Sequence, residues 1–362
     1  MHLLHVVGAR PNFMKIAPLL RAASARGGIG QTLVHTGQHY DEGLSDVFFR
    51  ELEIRRPDVN LGVGSSSHAR QTAAVMTAFE PVLEETAPDL VVTVGDVNST
   101  LACALVAAKM GVAVAHVEAG LRSRDWGMPE EINRVLTDRL SDLLFTPSRD
   151  ADENLAAEGV PAERVHFVGN IMIDTLMERL EDARERQAPE RYGVAGREYG
   201  LVTLHRPSNV DAPDRMEEIF RALARVAADR PVLFPMHPRT RNNAERFGLL
   251  GALGGVEVLE PVSYLDMLGL MEGAWLVLTD SGGIQEETTA LGVPCLTLRS
   301  TTERPITIEQ GTNTLAPERT REEILRLVPE TQGRRGRVPE LWDGATAGRI
   351  VEVIERWGGA GT

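Results

Sequence analysis

Several features that mark particular protein classes are scarce in this sequence of 362 residues. Cysteine occurs only twice, as Cys103 and Cys295, each among apolar neighbours, so we expect neither a disulfide framework nor a zinc site. No apolar run approaches the length of a membrane span, and Met1 leads directly into a strand pattern, so we expect a cytoplasmic protein without a signal peptide. The net charge of −14 argues against binding to nucleic acids or anionic membranes.

Lysine is almost absent as well, because Lys15 and Lys109 are the only lysines among 38 basic residues. We attribute this bias to genome composition, and in such a background the lysine that closely follows the first predicted strand draws attention. No Gly-x-Gly-x-x-Gly motif follows that strand, so a dinucleotide cofactor is not indicated. The composition therefore favours a protein that binds a small anionic substrate with a few placed cations.

The stretch 275–287 carries the clearest local signal, because it reads as a strand, a glycine turn and a helix. The strand is predicted over 275–278 and the helix from Ile284 onward. The turn between them contains Ser281, Gly282 and Gly283. Such a turn directs unpaired helix N–H groups at an anion, and glycine lets a phosphate approach closely. Glu286 and Glu287 would lie in the first helical turn, where a carboxylate caps the helix or accepts sugar hydroxyls. An ordinary strand-to-helix turn fits the same local pattern.

The first half of the chain alternates predicted strands and helices, which is typical of a parallel sheet covered by helices. The strands are predicted over residues 3–7, 33–36, 90–94, 112–117, 143–145 and 165–168. One helix is predicted over 68–85, with a kink or break at Pro81. Arg10 and Lys15 follow the first strand, so we expect them at the sheet edge where such folds bind ligands. There they would hold a phosphate, although solvated cations on a first helix are the alternative.

Three carboxylates are predicted at the same sheet edge. Asp96 and Glu118 each follow a strand, and Glu130 opens a helix after a proline. A single acid in such a place is more often a cap or a solvated group. Three acids that converge opposite two cations fit proton transfer better, because close carboxyl groups split their pKa values.

A second series of strand and helix units starts near residue 200, after a charged helix over 173–186 and a loop rich in glycine and proline. Its strands are predicted over residues 200–204, 232–235, 256–259, 275–279 and 294–298. Two such series predict an α/β fold with two doubly wound domains that face a central cleft. We place the domains at 1–170 and 171–344, and expect an amphipathic C-terminal helix within 345–362 to pack back on the first domain.

Two histidines, His205 and His237, each follow a predicted strand of the second domain. A histidine in that place is more often a structural group than a catalyst. We favour His205 as the catalyst, because Arg206 adjoins it and the acids of the first domain would lie across the cleft.

Seven motifs in order along the chain resemble the non-hydrolysing UDP-N-acetylglucosamine 2-epimerases. They are Gly8-x-Arg10-Pro11 with Lys15, Gly95-Asp96, His116-Val-Glu118-Ala-Gly-Leu-Arg122, Pro129-Glu-Glu-x-Asn-Arg134, His205-Arg206, Thr279-Asp-Ser-Gly-Gly-Ile-Gln-Glu-Glu287 and Thr301-Thr-Glu-Arg-Pro305. The resemblance runs from the first strand to beyond the last motif. It implies two Rossmann-like domains of the glycosyltransferase-B type and reversible conversion of UDP-GlcNAc to UDP-ManNAc for surface polysaccharide synthesis.

The resemblance also implies a set of site residues and the absence of a metal or NAD. The catalytic set would be Asp96, Glu118, Glu130 and His205. The substrate would be held by Arg10, Lys15, Ser281, Gly282, Gly283, Glu287 and Arg304. A second UDP-GlcNAc beside the active site activates some bacterial members, and Gln38, Arg206 and His237 are the candidates for binding it here. The family suggests a homodimer.

The chemistry agrees with these assignments, because inversion at C2 becomes feasible when UDP leaves C1 as the C2 proton is removed. Carboxylates would move the proton, with Glu118 the first choice, and cations and helix N–H groups would stabilise the departing UDP. We expect the two domains to close over the bound glycal to exclude water. The alternatives are a hydrolysing relative that releases ManNAc and UDP, a glycosyltransferase of the same fold, and a silent nucleotide-sugar sensor.

Overall fold

A computed structural model describes residues 1–37 and 51–359, without the side chain of Arg10. The chain forms two compact units. The first comprises Met1–Met177 and the chain from Glu340 onward, and the second comprises Glu178–Pro339. Within the described residues, no helix is both long and apolar enough to cross a membrane.

The first unit is built on a seven-stranded parallel sheet with strand order β3-β2-β1-β4-β5-β6-β7. Its strands are β1 (His2–Val7), β2 (Gly30–His35), β3 (Val59–Asn60), β4 (Leu90–Val94), β5 (Ala113–Val117), β6 (Leu143–Thr146) and β7 (Val165–Phe167). The central strands are fully buried, as the five buried residues of β4 show, because helices cover both faces of a doubly wound sheet. The order reverses between β1 and β4, and ligands of such folds bind at that reversal.

Seven helices accompany this sheet in the described part of the first unit. They are α1 (Arg10–Arg26), α2 (His68–Thr86), α3 (Asn98–Lys109), α4 (Pro129–Leu140), α5 (Arg149–Ala157), α6 (Ile171–Glu185) and α15 (Thr346–Gly359). The chain passes into the second unit within α6. Pro81 lies inside α2, which continues unbroken through it, so the predicted break does not occur. Buried Phe79 and Leu83 on either side of the proline hold the helix against the core.

The C-terminal helix α15 is part of the first unit. The Asp174 carboxylate of α6 accepts the N–H groups of Thr346 and Ala347 at 3.1 and 2.7 Å, which satisfies the free donors at the start of α15. On α1, Arg26 pairs with Glu352 of α15 at 2.9 Å.

The second unit is built on a six-stranded parallel sheet with order β10-β9-β8-β11-β12-β13. Its strands are β8 (Gly200–Thr203), β9 (Val232–Pro235), β10 (Glu257–Leu259), β11 (Leu276–Thr279), β12 (Cys295–Thr297) and β13 (Asn313–Leu315). Its helices are α7 (Ala188–Arg191), α8 (Pro207–Val210), α9 (Pro213–Ala227), α10 (Pro238–Phe247), α11 (Tyr264–Glu272), α12 (Gly282–Leu291), α13 (Pro305–Glu309) and α14 (Arg321–Gln332). Two parallel sheets in one chain confirm the predicted fold class.

Candidate active site

Asp96 follows β4 and is held by the start of α4. Its carboxylate accepts the Nε and Nη2 groups of Arg134 at 3.0 and 2.6 Å, and its carbonyl oxygen accepts the Asn133 amide at 2.9 Å. Gly95, just before it, has φ of 69°, and a Cβ there would lie 2.9 Å from the Lys15 ammonium. Glycine is therefore required at that turn for both conformation and space.

Glu118 follows β5 in a backbone conformation that non-glycine residues rarely adopt, with φ of 73°. The N–H groups of Glu118 and Ala119 both donate to the carbonyl oxygen of Phe145, at 3.1 and 3.0 Å, and this holds the turn. The carboxylate forms a buried ion pair with Lys15, which reaches it from α1. Lys15 and Glu118 are each 6% exposed, so the pair is almost fully withdrawn from water.

The two adjacent glutamates of α4 differ in their surroundings. The Glu131 carboxylate accepts N–H groups from Ser123 and Arg124 and pairs with Arg134 at 2.7 Å. Burial alone would raise the pKa of Glu131, but these donors hold it below its ordinary value. No hydrogen bond or ion pair to the half-buried Glu130 carboxylate is found among the described residues. Glu131 therefore stabilises the local structure, whereas the Glu130 carboxylate is available for proton transfer.

A buried charged network lies behind these acids. The His116 ring bridges the carbonyl oxygen of Gly95, at 2.8 Å, and the carboxylate of Asp138, at 2.6 Å. Arg122 pairs with Asp138 at 2.8 Å and with Glu158 at 2.7 Å. Burial would raise the pKa of Asp138, but His116 and Arg122 hold it below its ordinary value. The network fixes the turn that carries Asp96.

In the second unit, α12 begins at Gly282, with Ser281 as its N-cap residue. The predicted start at Ile284 was therefore two residues late. Glu286 and Glu287 lie beyond the first turn, which contains no acidic residue, so the prediction that places them in that turn was wrong. Both are buried in the protein instead.

The Arg304 guanidinium lies beside the first residue of α12. A Cβ on Gly282 would be 2.7 Å from Arg304 Nη1 and 2.8 Å from Glu303 Oε1. Arg304 pairs with Glu286 at 2.8 Å and also with Glu303. The start of α12 thus combines helix N–H groups with a buried, oriented cation, which suits a phosphate.

Glu287 lies behind that turn and is 4% exposed. Burial raises its pKa to about 7, Tyr264 opposes the shift by donating its hydroxyl at 3.1 Å, and the charge of Glu286 adds to it. A carboxyl group accepts hydrogen bonds from hydroxyl groups when ionised, and can also donate one when protonated.

His205 follows β8, and its side chain is 44% exposed. Its Nδ1 lies 3.1 Å from the carboxylate of Asp280, which follows β11. The ring centroid of His237 is 5.9 Å from that of His205. Arg206 donates through Nε to the carbonyl oxygen of Asp280 at 3.1 Å, and His237 accepts the N–H of Arg239.

The predicted site residues divide between the two units. Lys15, Asp96, Glu118 and Glu130 belong to the first, and His205, Arg206, His237, Ser281, Gly282, Gly283, Glu287 and Arg304 belong to the second. Arg10 begins α1, but its side chain lies outside the described atoms, as does the whole of Gln38. Across the described residues, no cluster of three or more His, Cys, Asp or Glu side chains is arranged to hold a metal ion.

Sequence reasoning did not assign the groups that hold these side chains. Arg134, Asn133, Asp138, Asp280 and Glu303 each contact a predicted site residue or the turn that carries it. Arg134 and Asp280 stand inside the motifs quoted above, so the signal was present in the sequence. Their pairing required the fold.

Comparison with known proteins agrees with the motif pattern. Residues 21–355 match the family model described as UDP-N-acetylglucosamine 2-epimerase. A UDP-N-acetylglucosamine 2-epimerase of Methanocaldococcus jannaschii is 40% identical, over 98% of this chain and 99% of that protein. A UDP-2,3-diacetamido-2,3-dideoxy-D-glucuronate 2-epimerase of Pseudomonas aeruginosa is 42% identical, over 87% of this chain and 88% of that protein.

A solved structure shows that the similarity extends to the fold. The crystal structure of Methanocaldococcus jannaschii UDP-GlcNAc 2-epimerase in complex with UDP-GlcNAc and UDP has a TM-score of 0.91 and 39% identity, covering 98% of this chain and 100% of that one. Sequence motifs, family match and fold agree along nearly the whole chain. The chain belongs to the UDP-N-acetylglucosamine 2-epimerase family.

Proposed function

We propose that this protein interconverts UDP-GlcNAc and UDP-ManNAc reversibly, without releasing the free sugar. The observation that carries the proposal is the family match over nearly the full chain. A similar protein has been solved in complex with UDP-GlcNAc and UDP. The oriented carboxylates Glu118 and Asp96 of the first unit, of which Glu118 is buried, and the phosphate-type helix start of the second support it.

The proposed reaction removes UDP and returns it. A base takes the C2 proton, the C–H electrons form a C1=C2 double bond, and the C1–O bond breaks with its electron pair leaving on UDP. The bound 2-acetamidoglucal then accepts a proton at C2 from the opposite face, while UDP adds again to C1. Carbon is neither oxidised nor reduced overall, so the route needs no external hydride carrier.

We propose Glu118 as the base that takes the C2 proton, because its carboxylate is buried, fixed by an unusual backbone turn and paired with an ammonium group. Asp96 and Glu130 would complete the proton-transfer set. In the second unit, His205, the Ser281 side chain and the N–H groups of Gly282 and Gly283 would meet the negative charge that grows on UDP. We propose that Arg10 and Arg304 contribute to the same stabilisation, and that Glu287 binds ribose hydroxyls.

Proton NMR in heavy water with UDP-GlcNAc tests the proposal directly. We expect UDP-ManNAc to form and deuterium to appear at C2 of both epimers. Accumulation of free ManNAc with UDP would instead identify the hydrolysing reaction, and an unchanged substrate would contradict epimerisation. A glycosyltransferase would likewise leave the donor's stereochemistry unchanged when no acceptor is present.

A Glu118→Gln variant tests the assignment of the base. We expect C2 exchange to fall by at least about 10²-fold while UDP still binds, because the amide keeps the shape but cannot accept the proton. The same change at Glu84, which is exposed on α2, should leave exchange unchanged. Normal exchange in the Glu118→Gln variant would exclude this carboxylate as the base.

A second substrate should be tested in the same assay, because the Pseudomonas aeruginosa relative is 42% identical and is named for UDP-2,3-diacetamido-2,3-dideoxy-D-glucuronate. The chemistry at C1 and C2 is common to both sugars, so the catalytic set does not distinguish them. A higher kcat/KM for the diacetamido-glucuronate than for UDP-GlcNAc would assign that sugar as the substrate.

Three further features belong to the proposal. We propose that the product supplies surface polysaccharide synthesis, that the protein is a homodimer, and that a second UDP-GlcNAc activates it through Gln38, Arg206 and His237. Sigmoidal dependence of rate on UDP-GlcNAc, lost in Arg206→Ala, would support activation, and hyperbolic kinetics would contradict it. Light scattering of the purified protein measures the oligomeric state.

A further inference from the structure

We infer that Asp280 is a positioning residue for His205: its carboxylate holds the imidazole ring with a hydrogen on Nδ1, so that Nε2 is the ring nitrogen that faces the departing UDP. The inference rests on the proposed function for its kinetic consequence, but its structural core concerns the histidine alone.

The Asp280 carboxylate is fully buried and fixes both the backbone and the ring of His205. The N–H of His205 lies 3.1 Å from each carboxylate oxygen, and Nδ1 of the ring lies 3.1 Å from Oδ1. Arg206 donates its N–H at 2.9 Å, and Asn209 its amide at 3.1 Å, to Oδ2. The carboxylate is thus immobilised by donors on both oxygens.

Asp280 is held in its charged form. Burial alone would raise its pKa, but the donors of His205, Arg206 and Asn209 keep it below its ordinary value. An ionised carboxylate accepts and never donates, so the ring nitrogen that faces it must carry a hydrogen. The hydrogen bond made by one ring nitrogen decides which proton the other carries, so Nε2 is the exchanging position.

The second ring nitrogen of His205 is not engaged by the described part of the protein. Nε2 of His205 makes no hydrogen bond to any described residue, and 44% of the side chain is exposed. Within the described part of the chain, the charged and titratable groups that contact or adjoin the ring are Asp280 after β11, Arg206 next in the chain and His237 after β9. Asp280 is the anionic group among them, and it is the one that contacts Nδ1.

Asp280 also stabilises the turn before α8, because it accepts two backbone N–H groups there. Loss of activity on substitution would therefore not separate positioning from folding. The test needs measurements that a purely structural carboxylate would leave unchanged.

The first measurement uses the wild-type protein without substrate. Long-range ¹H–¹⁵N correlation NMR of ¹⁵N-histidine-labelled protein reports the tautomer, with the His205 signals identified by their loss in His205→Gln. We expect the Nδ1–H tautomer in the neutral form. The Nε2–H tautomer would overturn the inference. This arm stands even if UDP-GlcNAc is not epimerised, so its failure is distinct from failure of the proposed function.

The second measurement compares Asp280→Asn with His205→Gln and with the double variant. We expect kcat to fall by at least about 10²-fold in each single variant, with KM little changed, and no further in the double variant. Losses that multiply in the double variant would assign Asp280 a structural role only.

Asp211→Asn is the matched control, because its carboxylate pairs with Arg239 in the same unit but does not contact His205. It should retain kcat within about twofold. Circular dichroism establishes that Asp280→Asn is folded, and if it is not, the NMR measurement on the wild-type protein decides the question.

Discussion

Glu118 combines an unusual backbone with a buried charge. Its φ of 73° costs on the order of 1–2 kcal/mol for a residue with a Cβ, and the shared carbonyl of Phe145 keeps the turn in place. The same turn brings the carboxylate to Lys15. A residue held in this way loses little freedom when the substrate binds, so its geometry is available for proton transfer at no further conformational cost.

Replacing Lys15 with methionine should abolish this arrangement. Without the ammonium, the Glu118 carboxylate loses the buried partner that orients it, so we expect C2 exchange to fall by about 10²-fold or more with a smaller change in KM. Lys109→Met is the matched control, because the other lysine of the sequence is exposed at the end of α3. A raised KM with normal kcat would show instead that Lys15 binds the substrate, as the sequence predicts.

Glu287 should make stability depend on pH in an unusual direction. Its folded pKa of about 7 exceeds the ordinary value of 4.5, so the unfolded chain ionises first as pH rises. The free energy of unfolding therefore falls by on the order of 1–3 kcal/mol between about pH 4.5 and 7, and Glu287 causes no further fall above that range.

Urea denaturation without nucleotide measures this contribution. The free energy of unfolding of Glu287→Gln, minus that of the wild type, should increase across this pH window. Glu245→Gln, an exposed site in the same unit, should show no such trend. A pH-independent difference for Glu287→Gln would contradict the assigned shift.

At the residue scale, the sequence predicted candidate side chains but not their partners. Asp96, Glu118, the histidine and the glycine turn were predicted from strand ends, and Glu130 from the start of a helix. The different surroundings of Glu130 and Glu131 could not be predicted, because they depend on which carboxylate accepts the N–H groups of Ser123 and Arg124. Adjacent residues on a helix point about 100° apart, and only the packed structure shows which direction is occupied.

Among the elements, α12 shows why a boundary prediction failed while the element itself was correct. Glycine is a poor helix former, so the pattern placed the helix start after Gly282 and Gly283. The structure begins the helix at Gly282, where a Cβ would lie 2.7 Å from Arg304 Nη1 and 2.8 Å from Glu303 Oε1. The glycine is selected by the neighbouring cation rather than by helix propensity.

Gly282→Ala should therefore weaken nucleotide binding. Its Cβ would displace Arg304 and Glu303 from the start of α12, and we expect the Kd for UDP to rise about tenfold, or about 1.4 kcal/mol, by isothermal titration. Gly251→Ala is the matched control, because nothing lies within 4 Å of its added Cβ. Unchanged UDP affinity in Gly282→Ala would show that Arg304 does not contribute to the nucleotide site.

Every interior strand of the two sheets was predicted, because central strands of parallel sheets are continuous apolar runs. Of the four edge strands, β7 and β10 were predicted, whereas β3 and β13 were not. The predicted break at Pro81 does not occur, because buried neighbours on α2 outweigh the hydrogen bond that a proline removes. Local pattern thus identifies the interior of a sheet better than its edges.

At the scale of the whole molecule, the proposed chemistry is divided between the units. The proton-transfer acids belong to the first unit, and the nucleotide-type groups belong to the second, which is one continuous stretch, Glu178–Pro339. The sequence contains two series of alternating strands and helices. They predicted two parallel sheets, because each such series forms one sheet covered by helices.

The excised stretch 178–339 should bind UDP but not epimerise. Its core residues and the Arg304 and Glu287 contacts are internal to it, whereas Glu118 and Asp96 are not. Circular dichroism establishes folding, titration measures UDP binding, and NMR in heavy water measures C2 exchange. Exchange by this fragment, or a folded fragment without affinity for UDP, would contradict the division.

The two lysines of the chain differ sharply in access. Lys109 is exposed at the end of α3, whereas Lys15 is 6% exposed and engaged with Glu118. Among the lysine side chains, amine-directed chemistry should therefore attach a fluorophore or a surface tether at Lys109 while sparing Lys15. The scarcity of lysine thus gives the protein a natural side-chain handle for labelling or immobilisation, with no substitution needed.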